Sequence, residues 1–358
     1  MPTSTTLVWF RRDLRVTDHP ALAAAAACGP VVCAWIVDPE LLARRHHRCP
    51  ARRAFLRAGL ATLDADLRDH GGALVVHVGR PAQAVPALAR EVGARAVACT
   101  CEVSPFGRRR DADVRDALAA SGIAFHEYGG DLLARLDDIP GPGGDGYQVF
   151  RPFHRQWAAL PLPARIPAPS ALAGPRVSSD RQDALGAASP PLAAGPAAAR
   201  AALVAFICDG HADRYAEARD LPAAAASSRL SAYLRFGMCT SAQIGRALGL
   251  PGQLGSGRAA FWRQIGWREF YHHHLARNPH VARQACRAPL RAVGWSDDPA
   301  VFGVWRAGRT GYPMVDAGMR QLAAEGWMHN RARMVAASFL VKDLHVDWRR
   351  GRRCSCRN

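Results

Sequence analysis

The sequence predicts an α/β domain with a doubly wound parallel sheet over residues 1–130 and an all-α domain over 201–358, joined by a long connector. In the first third of the chain, short β-branched runs alternate with helical patterns, which is the signature of a parallel sheet. Beyond residue 200 the apolar spacing is helical, and six of the nine tryptophans lie there, so aromatic side chains concentrate in the second domain. A chain of 358 residues is long enough to build both cores.

Five predicted strands build the sheet, and their sequences are TLVWF, VVCAWIVD, ALVVHVG, RAVACTCE and IAFHEYG. Such sheets bind ligands at the carboxyl ends of their strands. The first strand is followed by RRDLRVTDHPAL, which lacks the glycine-rich loop of a dinucleotide or nucleoside triphosphate site. A standard site of either kind is therefore excluded here.

The connector, residues 131–200, is rich in Pro, Gly, Ala and Ser, which predicts little regular structure. One segment inside it, YQVFRPFHRQW at 147–157, is too aromatic for a solvated linker. We expect this segment to dock on one of the two domains.

The formal net charge of +17 and the pI near 10.4 favour an anionic partner, and nucleic acid suits this charge better than a membrane does. A compositional bias explains part of the same charge, because Lys342 is the only lysine and runs of alanine accompany the many arginines. Charge alone leaves both explanations open.

The cysteines and the N-terminus both predict a cytoplasmic protein. Ten cysteines are scattered without a framework spacing, which suits free thiols in a reducing compartment. Charges follow the first short apolar segment directly, and no long uncharged apolar run exists, so we expect neither a signal peptide nor a membrane span. Cys354 and Cys356 form an isolated pair, and we expect no zinc site there.

Two segments of the helical half carry groups that suit a ligand. SSRLS at 227–231 precedes a helical pattern, and hydroxyls with backbone amides at a helix start can cradle a phosphate, although simple N-capping explains the same residues. FWRQIGWREFYHHH at 261–274 offers stacking planes and hydrogen-bonding groups for a base or a flat cofactor. Its three adjacent histidines point three ways on a helix, so a helix end or surface explains them better than a metal site.

A third segment, GWMHNRARMVAASFLVKDLHVDWRRG at 326–351, is dense in aromatic, cationic and polar residues. If it is one helix, seven residues share a face: Trp327, Arg331, Met334, Ser338, Val341, His345 and Trp348. That face suggests a pocket wall or a nucleic-acid surface, and the alternative is an amphipathic helix with incidental polar edges. No nucleophile elbow or paired-carboxylate site is present, so we expect a bound cofactor to supply the chemistry.

Together these segments resemble the DNA photolyase and cryptochrome family. The resemblance is carried by VWFRRDLRVTDHPAL, SSRLSAYLRFG, WREFYHHHL, the WRAGRTGYPMVDAGMRQL segment at 305–322 and the stretch at 326–351. It implies an N-terminal antenna domain and a helical domain that holds FAD. It also implies a light-driven lyase in which electron transfer from the flavin splits a cyclobutane pyrimidine dimer flipped out of DNA.

The resemblance assigns roles residue by residue. The residues expected around FAD are Tyr215, Ser227, Ser228, Arg229, Leu230, Ser231, Phe261, Gln264, Arg268 and Arg333. Those expected to face DNA or the lesion are Arg219, Trp267, Asn330 and Met334, with Gln264 also contacting the lesion. Trp295 and Trp348 match two tryptophans of the chain that passes electrons to the flavin, and no metal is implied.

Two positions depart from the family pattern. Gln264 stands where many dimer-repairing members carry Glu, and an amide can form hydrogen bonds to the lesion but cannot supply a proton. Ser227 replaces a common Thr and keeps its hydroxyl.

The family pattern also leads us to expect a chain shortened at its C-terminus. Family members continue for roughly a hundred residues beyond DWRRG, a length typical of a full-sized helical domain. We expect the terminal RRCSCRN to fall outside the resemblance, the FAD pocket to lack one wall, and little FAD to stay with the purified chain. If Arg333 is buried, it would face the pocket without its expected Asp partner.

Three functions remain open on the sequence alone: dimer repair, a cryptochrome-like blue-light photosensor without repair activity, and an inactive fragment. The antenna pigment implied by the resemblance is a folate or a deazaflavin, with VSPFGRRRD at 103–111 near the expected pigment wall. The implied partner is ultraviolet-damaged DNA, and the family expectation is a monomer without a protein partner.

Overall fold

A computed structural model describes residues 4–43, 49–130, 132–180, 185–186 and 188–354. The N-terminal sheet has five parallel strands in the order β3-β2-β1-β4-β5. They are β1 (Thr6–Phe10), β2 (Val31–Val37), β3 (Leu74–Val78), β4 (Ala96–Thr100) and β5 (Ala124–Tyr128). The order reverses between β1 and β4, so the predicted doubly wound sheet is confirmed.

Helices cover both faces of this sheet: α1 (Pro20–Cys28), α2 (Pro39–Ala43), α3 (Pro50–Asp69), α4 (Pro81–Glu91) and α5 (Pro105–Ala119). Strands β1 and β2 are buried along their whole length, which is why their sequences are apolar without alternation. Val8 and Phe10 enter one core, while Leu7 and Trp9 enter the core on the opposite face. The first of these cores continues into the helical half of the molecule.

The aromatic segment of the connector forms helix α6 (Phe150–Ala158) and docks on the helical half, as expected. Phe150, Phe153 and Trp157 are buried and lie on one side of α6 because they follow a three- and four-residue spacing. The rest of the connector includes two short 3₁₀ turns, Leu136–Asp138 and Pro142–Gly144. The connector is therefore part of the structural core of the molecule.

The helical half begins with α7 (Pro196–Cys208), α8 (Tyr215–Ala218), α9 (Ser231–Arg235), α10 (Ser241–Leu248) and α11 (Ser256–Arg277). Two 3₁₀ turns, Pro279–Ala282 and Ala288–Ala292, follow α11, and another at Pro222–Ala224 precedes α9. Helices α12 (Pro299–Arg306), α13 (Pro313–Glu325), α14 (Asn330–Ser338) and α15 (Trp348–Cys354) complete the described chain. Residues from α12–α14 and the following segment build a small core of their own, centred on Trp305, Met319 and Leu340.

The stretch at 326–351 is not one helix, so the single seven-residue face expected from its spacing is wrong. Trp327 precedes α14, a π-helical turn occupies Phe339–Asp343, and Trp348 starts α15. His345 has a positive φ of 52°, which breaks the helix between these segments. The four- and three-residue spacing is therefore not maintained in space.

Candidate functional site

One side of α11 gathers the predicted lesion and cofactor residues. Trp267 and Arg268 lie three and four residues after Gln264 and four and three residues before Tyr271, which places the four along one face of the helix. The Gln264 amide donates to the Ala260 carbonyl at 3.2 Å. All four side chains are at least partly exposed, so this face is accessible to a ligand.

Trp267 contacts two aromatic rings on this face. Its ring lies 3.7 Å from that of Phe150, centroid to centroid, with 9° between the planes, and 5.6 Å from that of Tyr271. Phe150 belongs to the connector helix and is 6% exposed. The connector therefore fixes the orientation of the tryptophan that is expected to face the lesion.

Phe261 and Tyr215 form an aromatic wall at the other end of the same face. Phe261 is buried and packs edge-on against Tyr215 at 5.1 Å, with Phe206 of α7 behind both rings. Burial raises the pKa of the Tyr215 hydroxyl, although the positive charges of Arg219 and Arg331 oppose this effect. Tyr215 therefore stays neutral and able to donate a hydrogen bond at neutral pH.

Arg219 lies at the edge of this wall, and one nitrogen of its guanidinium group donates no hydrogen bond within the described residues. Its Nε is buried and makes no hydrogen bond, and it lies 3.9 Å from an Asp220 carboxylate oxygen. Asp220 also binds Arg331 of α14. The acidic side chain thus links the predicted DNA-facing Arg219 to the start of α14.

Arg268 and its neighbour Glu269 point to different sides of α11. Arg268 approaches the Leu234 carbonyl at 3.4 Å and lies 3.9 Å from the Glu269 carboxylate. Glu269 is completely buried and accepts bonds from the Leu133 amide at 2.9 Å and the Ser241 hydroxyl at 2.7 Å. Burial raises the pKa of the Glu269 carboxyl group despite these donors. Sequence reasoning missed this residue, although a Glu within an aromatic helix was a signal of a buried partner.

The predicted phosphate segment at 227–231 leads into α9, a helix of only five residues. Ser227 and Ser228 are half-buried, Leu230 is buried and Ser231 is exposed. The Leu230 amide donates to the Ser228 hydroxyl at 3.5 Å. The two half-buried serines are therefore the hydroxyls best placed along this segment for a ligand.

Arg229 ties the same segment to the C-terminal helices. Its guanidinium binds the Glu325 carboxylate at 2.7 Å and lies 4.4 Å above the Trp327 ring. The residue has a positive φ of 50°, a backbone conformation that residues other than glycine seldom adopt. We name the contact between Arg229, Glu325 and Trp327 the loop latch.

Helix α14 presents Asn330, Arg333 and Met334 to solvent. The Asn330 amide lies 3.7 Å from the Met334 sulfur, so these two predicted lesion contacts are adjacent. Because Arg333 is exposed, the cost expected for burying it without an Asp partner does not arise.

Trp295 and Trp348 lie on two chain segments that run side by side. The Ser296 amide donates to the His345 carbonyl at 2.7 Å, and a parallel bridge joins Ser296 to Val346. The Trp295 ring lies 6.5 Å from that of His345, and Arg352 lies 5.8 Å from the Trp348 ring. Both tryptophans are partly exposed, which suits groups that exchange electrons with solution.

A second polar cluster, not predicted from the sequence, lies at the carboxyl ends of β1 and β4. Asp13 accepts a bond from the Thr100 hydroxyl at 2.6 Å and lies 3.0 Å from His19. Burial acts to raise the pKa of Asp13, but the contacts with His19, the charge of Arg11 and the Thr100 bond together outweigh it, and the net shift is downward. Glu102 binds Arg12 through both oxygens at 2.6 and 2.7 Å. Arg12 and Asp13, which follow β1, thus connect the carboxyl end of β1 to that of β4 through Glu102 and Thr100.

Two of the adjacent histidines have separate environments: His274 lies at the end of the helix, as expected, whereas His273 is buried and not on the surface. His273 is buried with its Nε2 3.2 Å from the Ala134 carbonyl, while His274 contacts Asn278. Across the described ranges, no group of three or more metal-binding side chains comes together. Nor does any helix in those ranges have the length and apolar character that crossing a membrane requires. Cys356 lies outside the described residues, as does the side chain of Cys354.

Two family models match the chain. The DNA photolyase model matches residues 6–170, and the model of the FAD binding domain of DNA photolyase matches residues 261–357. The second match includes nearly all of RRCSCRN, so the expectation that this segment falls outside the resemblance is wrong.

The chain is also similar to named relatives along almost its whole length. The deoxyribodipyrimidine photo-lyase of Halobacterium salinarum is 41% identical over 96% of this chain and 76% of its own, and that of Streptomyces griseus is 40% identical over 98% and 77%. The crystal structure of a class III photolyase from Agrobacterium tumefaciens superposes with a TM-score of 0.91 at 34% identity, covering 100% of this chain and 76% of the other. The chain belongs to the DNA photolyase family.

Proposed function

We propose that this protein repairs cyclobutane pyrimidine dimers in DNA, using blue light and FAD. The observation that carries the proposal is the exposed face of α11, where Gln264, Trp267 and Arg268 lie beside the wall formed by Tyr215 and Phe261. Relatives that share this chain's family and most of its length are named deoxyribodipyrimidine photo-lyase.

The side chains around this face fit a flavin dinucleotide. Tyr215 and Phe261 offer aromatic surface, and Ser227 and Ser228 offer half-buried hydroxyls to a pyrophosphate. The buried Nε of Arg219, which makes no hydrogen bond within the described ranges, is a donor available to an anionic group at the edge of the wall. FAD, when bound, supplies the electron that light drives into the dimer. The remaining cofactor residues in this proposal are Arg229, Leu230, Ser231, Gln264, Arg268 and Arg333.

The chain's own residues bind and orient the lesion. Trp267, held flat by Phe150, offers a ring on which a flipped-out base can stack. The Gln264 amide can form hydrogen bonds to the dimer's base edges without moving a proton. Asn330 and Met334 provide an adjacent polar and apolar contact from α14, and Arg219 contributes positive charge toward the DNA.

Trp295 and Trp348 form the proposed route by which electrons from solution restore the reduced flavin. Both are partly exposed on neighbouring segments, and indole rings are readily oxidised by a light-excited partner. We assign the antenna role to residues 1–130 and the connecting role to 131–200, with 201–358 holding FAD and DNA. The antenna pigment in this proposal is a folate or a deazaflavin, and an archaeal photolyase from Sulfolobus tokodaii with two FAD molecules shares this fold at a TM-score of 0.85.

Compartment and assembly complete the proposal. The eight cysteines whose side chains the structure describes form no disulfide, which supports the cytoplasm. We assign a monomer, the state that the family resemblance implies.

Lesion preference tests the proposed site directly. Binding of the purified protein, loaded with FAD, is measured in the dark on matched duplexes with and without one thymine dimer. The proposal requires tighter binding of the damaged duplex, and Trp267→Ala should remove roughly tenfold or more of that preference, since base–aromatic stacking contributes about 1–3 kcal/mol. Equal binding of both duplexes by the wild-type protein would contradict the proposal.

A further inference from the structure

The chain carries a 27-residue stretch, 270–296, that contains no acidic residue. Its arginines beyond α11 are Arg283, Arg287 and Arg291, spaced four residues apart and all exposed. We name residues 278–291 the arginine loop. A surface segment with several cations and no carboxylate of its own keeps its positive charge for an external partner.

Neighbouring carboxylates do not neutralise this loop. Asp297 pairs with Arg350 at 3.1 Å, and Asp347 pairs with Arg349 at 2.7 Å. Within the part of the chain that the structure describes, Arg283 and Arg287 have neither an ion pair nor a hydrogen bond from their side chains. Arg352 of α15 adds a further cation by donating to the Ala282 carbonyl at 2.5 Å.

The loop is held in a defined place by hydrogen bonds. Arg291 donates to the carbonyls of Ala285 and Cys286 at 3.1 and 3.5 Å. Cys286 in turn lies 3.6 Å from the Nε2 of His274. The side-chain amide of Asn278 donates to the backbone carbonyl of the same histidine. The arginine loop therefore folds back against the last turn of α11.

This position continues the face that carries the lesion residues. His274 follows Trp267 by seven residues, two turns along the same side of α11, at a helical rise of about 1.5 Å per residue. The loop contact at His274 thus lies about 10 Å along the helix from Trp267. That distance corresponds to about three base-pair steps of duplex DNA.

We propose that the arginine loop is a second DNA contact, which binds phosphates of the duplex outside the flipped dimer. Arg283 and Arg287 supply the phosphate contacts, while Arg291 and the bond between Cys286 and His274 hold the loop in place. The contact depends on the charge of the DNA and not on its base sequence, because a guanidinium group bound to a phosphate does not contact a base edge. It rests on the proposed function only in taking DNA as the partner.

The salt dependence of DNA binding tests this contact. Affinity for an undamaged duplex is measured from 50 to 200 mM salt for the wild-type protein and for Arg283→Gln/Arg287→Gln. Each lost phosphate contact lowers the slope of log affinity against log salt by about 0.9, so two contacts lower it by about 1.8. Over a fourfold rise in salt, the double variant then loses about 12-fold less affinity than wild type.

A matched control separates a local contact from net charge. Arg80→Gln/Arg95→Gln removes the same two charges from exposed positions flanking α4, in the sheet domain. The proposal requires a shallower slope in the loop variant and a wild-type slope in the control. A loop variant that matches wild type, or equal changes in both variants, would overturn it. If the slopes differ as expected but the wild-type protein shows no light-driven repair, the loop contact stands and the proposed function fails.

Discussion

Trp267 lies flat against Phe150, with 3.7 Å between the ring centroids and 9° between the ring planes. The two residues come from different parts of the chain, Phe150 from the connector and Trp267 from the helical half. A ring supported on one face can move less, so it presents its other side to a base at a lower entropic cost. In the function proposed above, the connector thus contributes to lesion binding without touching the lesion.

Removing this support should weaken recognition of damage. Phe150→Leu keeps a buried apolar side chain but loses the ring stack, a change of about 0.5–1.5 kcal/mol. We expect the affinity for dimer-containing DNA to fall roughly twofold to tenfold, with no change on undamaged DNA. Fluorescence titration of both duplexes measures this, and Phe125→Leu in the sheet domain is the matched control. An equal loss on both duplexes would show that Phe150 serves the fold alone.

The loop latch should slow the release of FAD. Glu325→Gln removes the ion pair with Arg229, and an exposed pair of this kind contributes up to about 1 kcal/mol. We therefore expect flavin to dissociate about twofold to fivefold faster, and the difference should shrink at high salt. Flavin fluorescence after dilution gives the rate. Glu91→Gln, an exposed position in the sheet domain, should release flavin at the wild-type rate; no difference between the two variants would rule the latch out.

Acid should destabilise the sheet domain through Glu102. Burial alone would raise the pKa of this carboxyl group, but the charges of Arg12 and Arg110 outweigh burial and hold the pKa at about 2, below the usual 4.5. A depressed folded-state pKa contributes stability above the unfolded pKa, and that stability is lost as the pH falls from about 4.5 toward 2. The loss amounts to about 3 kcal/mol.

Glu102→Gln tests this assignment, because it removes the titrating group. Urea unfolding across the same pH range should show a shallower decline in the variant, with lower stability at neutral pH. The control is again Glu91→Gln, whose decline should follow wild type. His19, whose pKa is lowered mainly by burial, adds a separate loss of stability below pH 6.5, which both variants should retain. Parallel declines in Glu102→Gln and wild type would refute the assignment.

The proposed electron route predicts a separable defect. Trp295→Phe should slow light-driven reduction of bound FAD severalfold or more, because phenylalanine is much harder to oxidise than tryptophan. Repair by protein that has been reduced chemically beforehand should keep its wild-type rate. Absorbance during illumination measures the rate of flavin reduction, and Trp35→Phe in the sheet serves as the control. Loss of both activities together would mean that Trp295 is structural.

The sequence predicted those strands and helices whose own residues follow a clear local pattern. Strand β1 is five apolar residues in a row, and α11 shows its length and its ligand-facing side in one continuous pattern. It did not predict contacts between distant segments. Glu269 binds the Leu133 amide across 136 residues, and the latch joins Arg229 to Glu325 across 96. In neither pair does the sequence around one residue indicate which distant residue it contacts.

The incorrect expectation of a single helix at 326–351 has a different cause. Spacing arguments assume an unbroken helix, whereas the π-helical turn at Phe339–Asp343 and the positive φ of His345 change the direction of the chain. Asn330 and Met334 kept their spacing because both lie before the break, on α14. Trp348 lies beyond it, and its position depends on the bridge between Ser296 and Val346.

Light-driven repair is the most direct test of the central claim. The purified protein is loaded with FAD and reduced, mixed with an oligonucleotide that carries one cyclobutane thymine dimer, and illuminated with blue light. Recovery of intact thymines is followed by chromatography. We predict recovery in the light and none in the dark, with a lower yield in Gln264→Ala. Bound, photoreducible FAD with no recovery of thymines in the light would contradict the account and identify a photosensor.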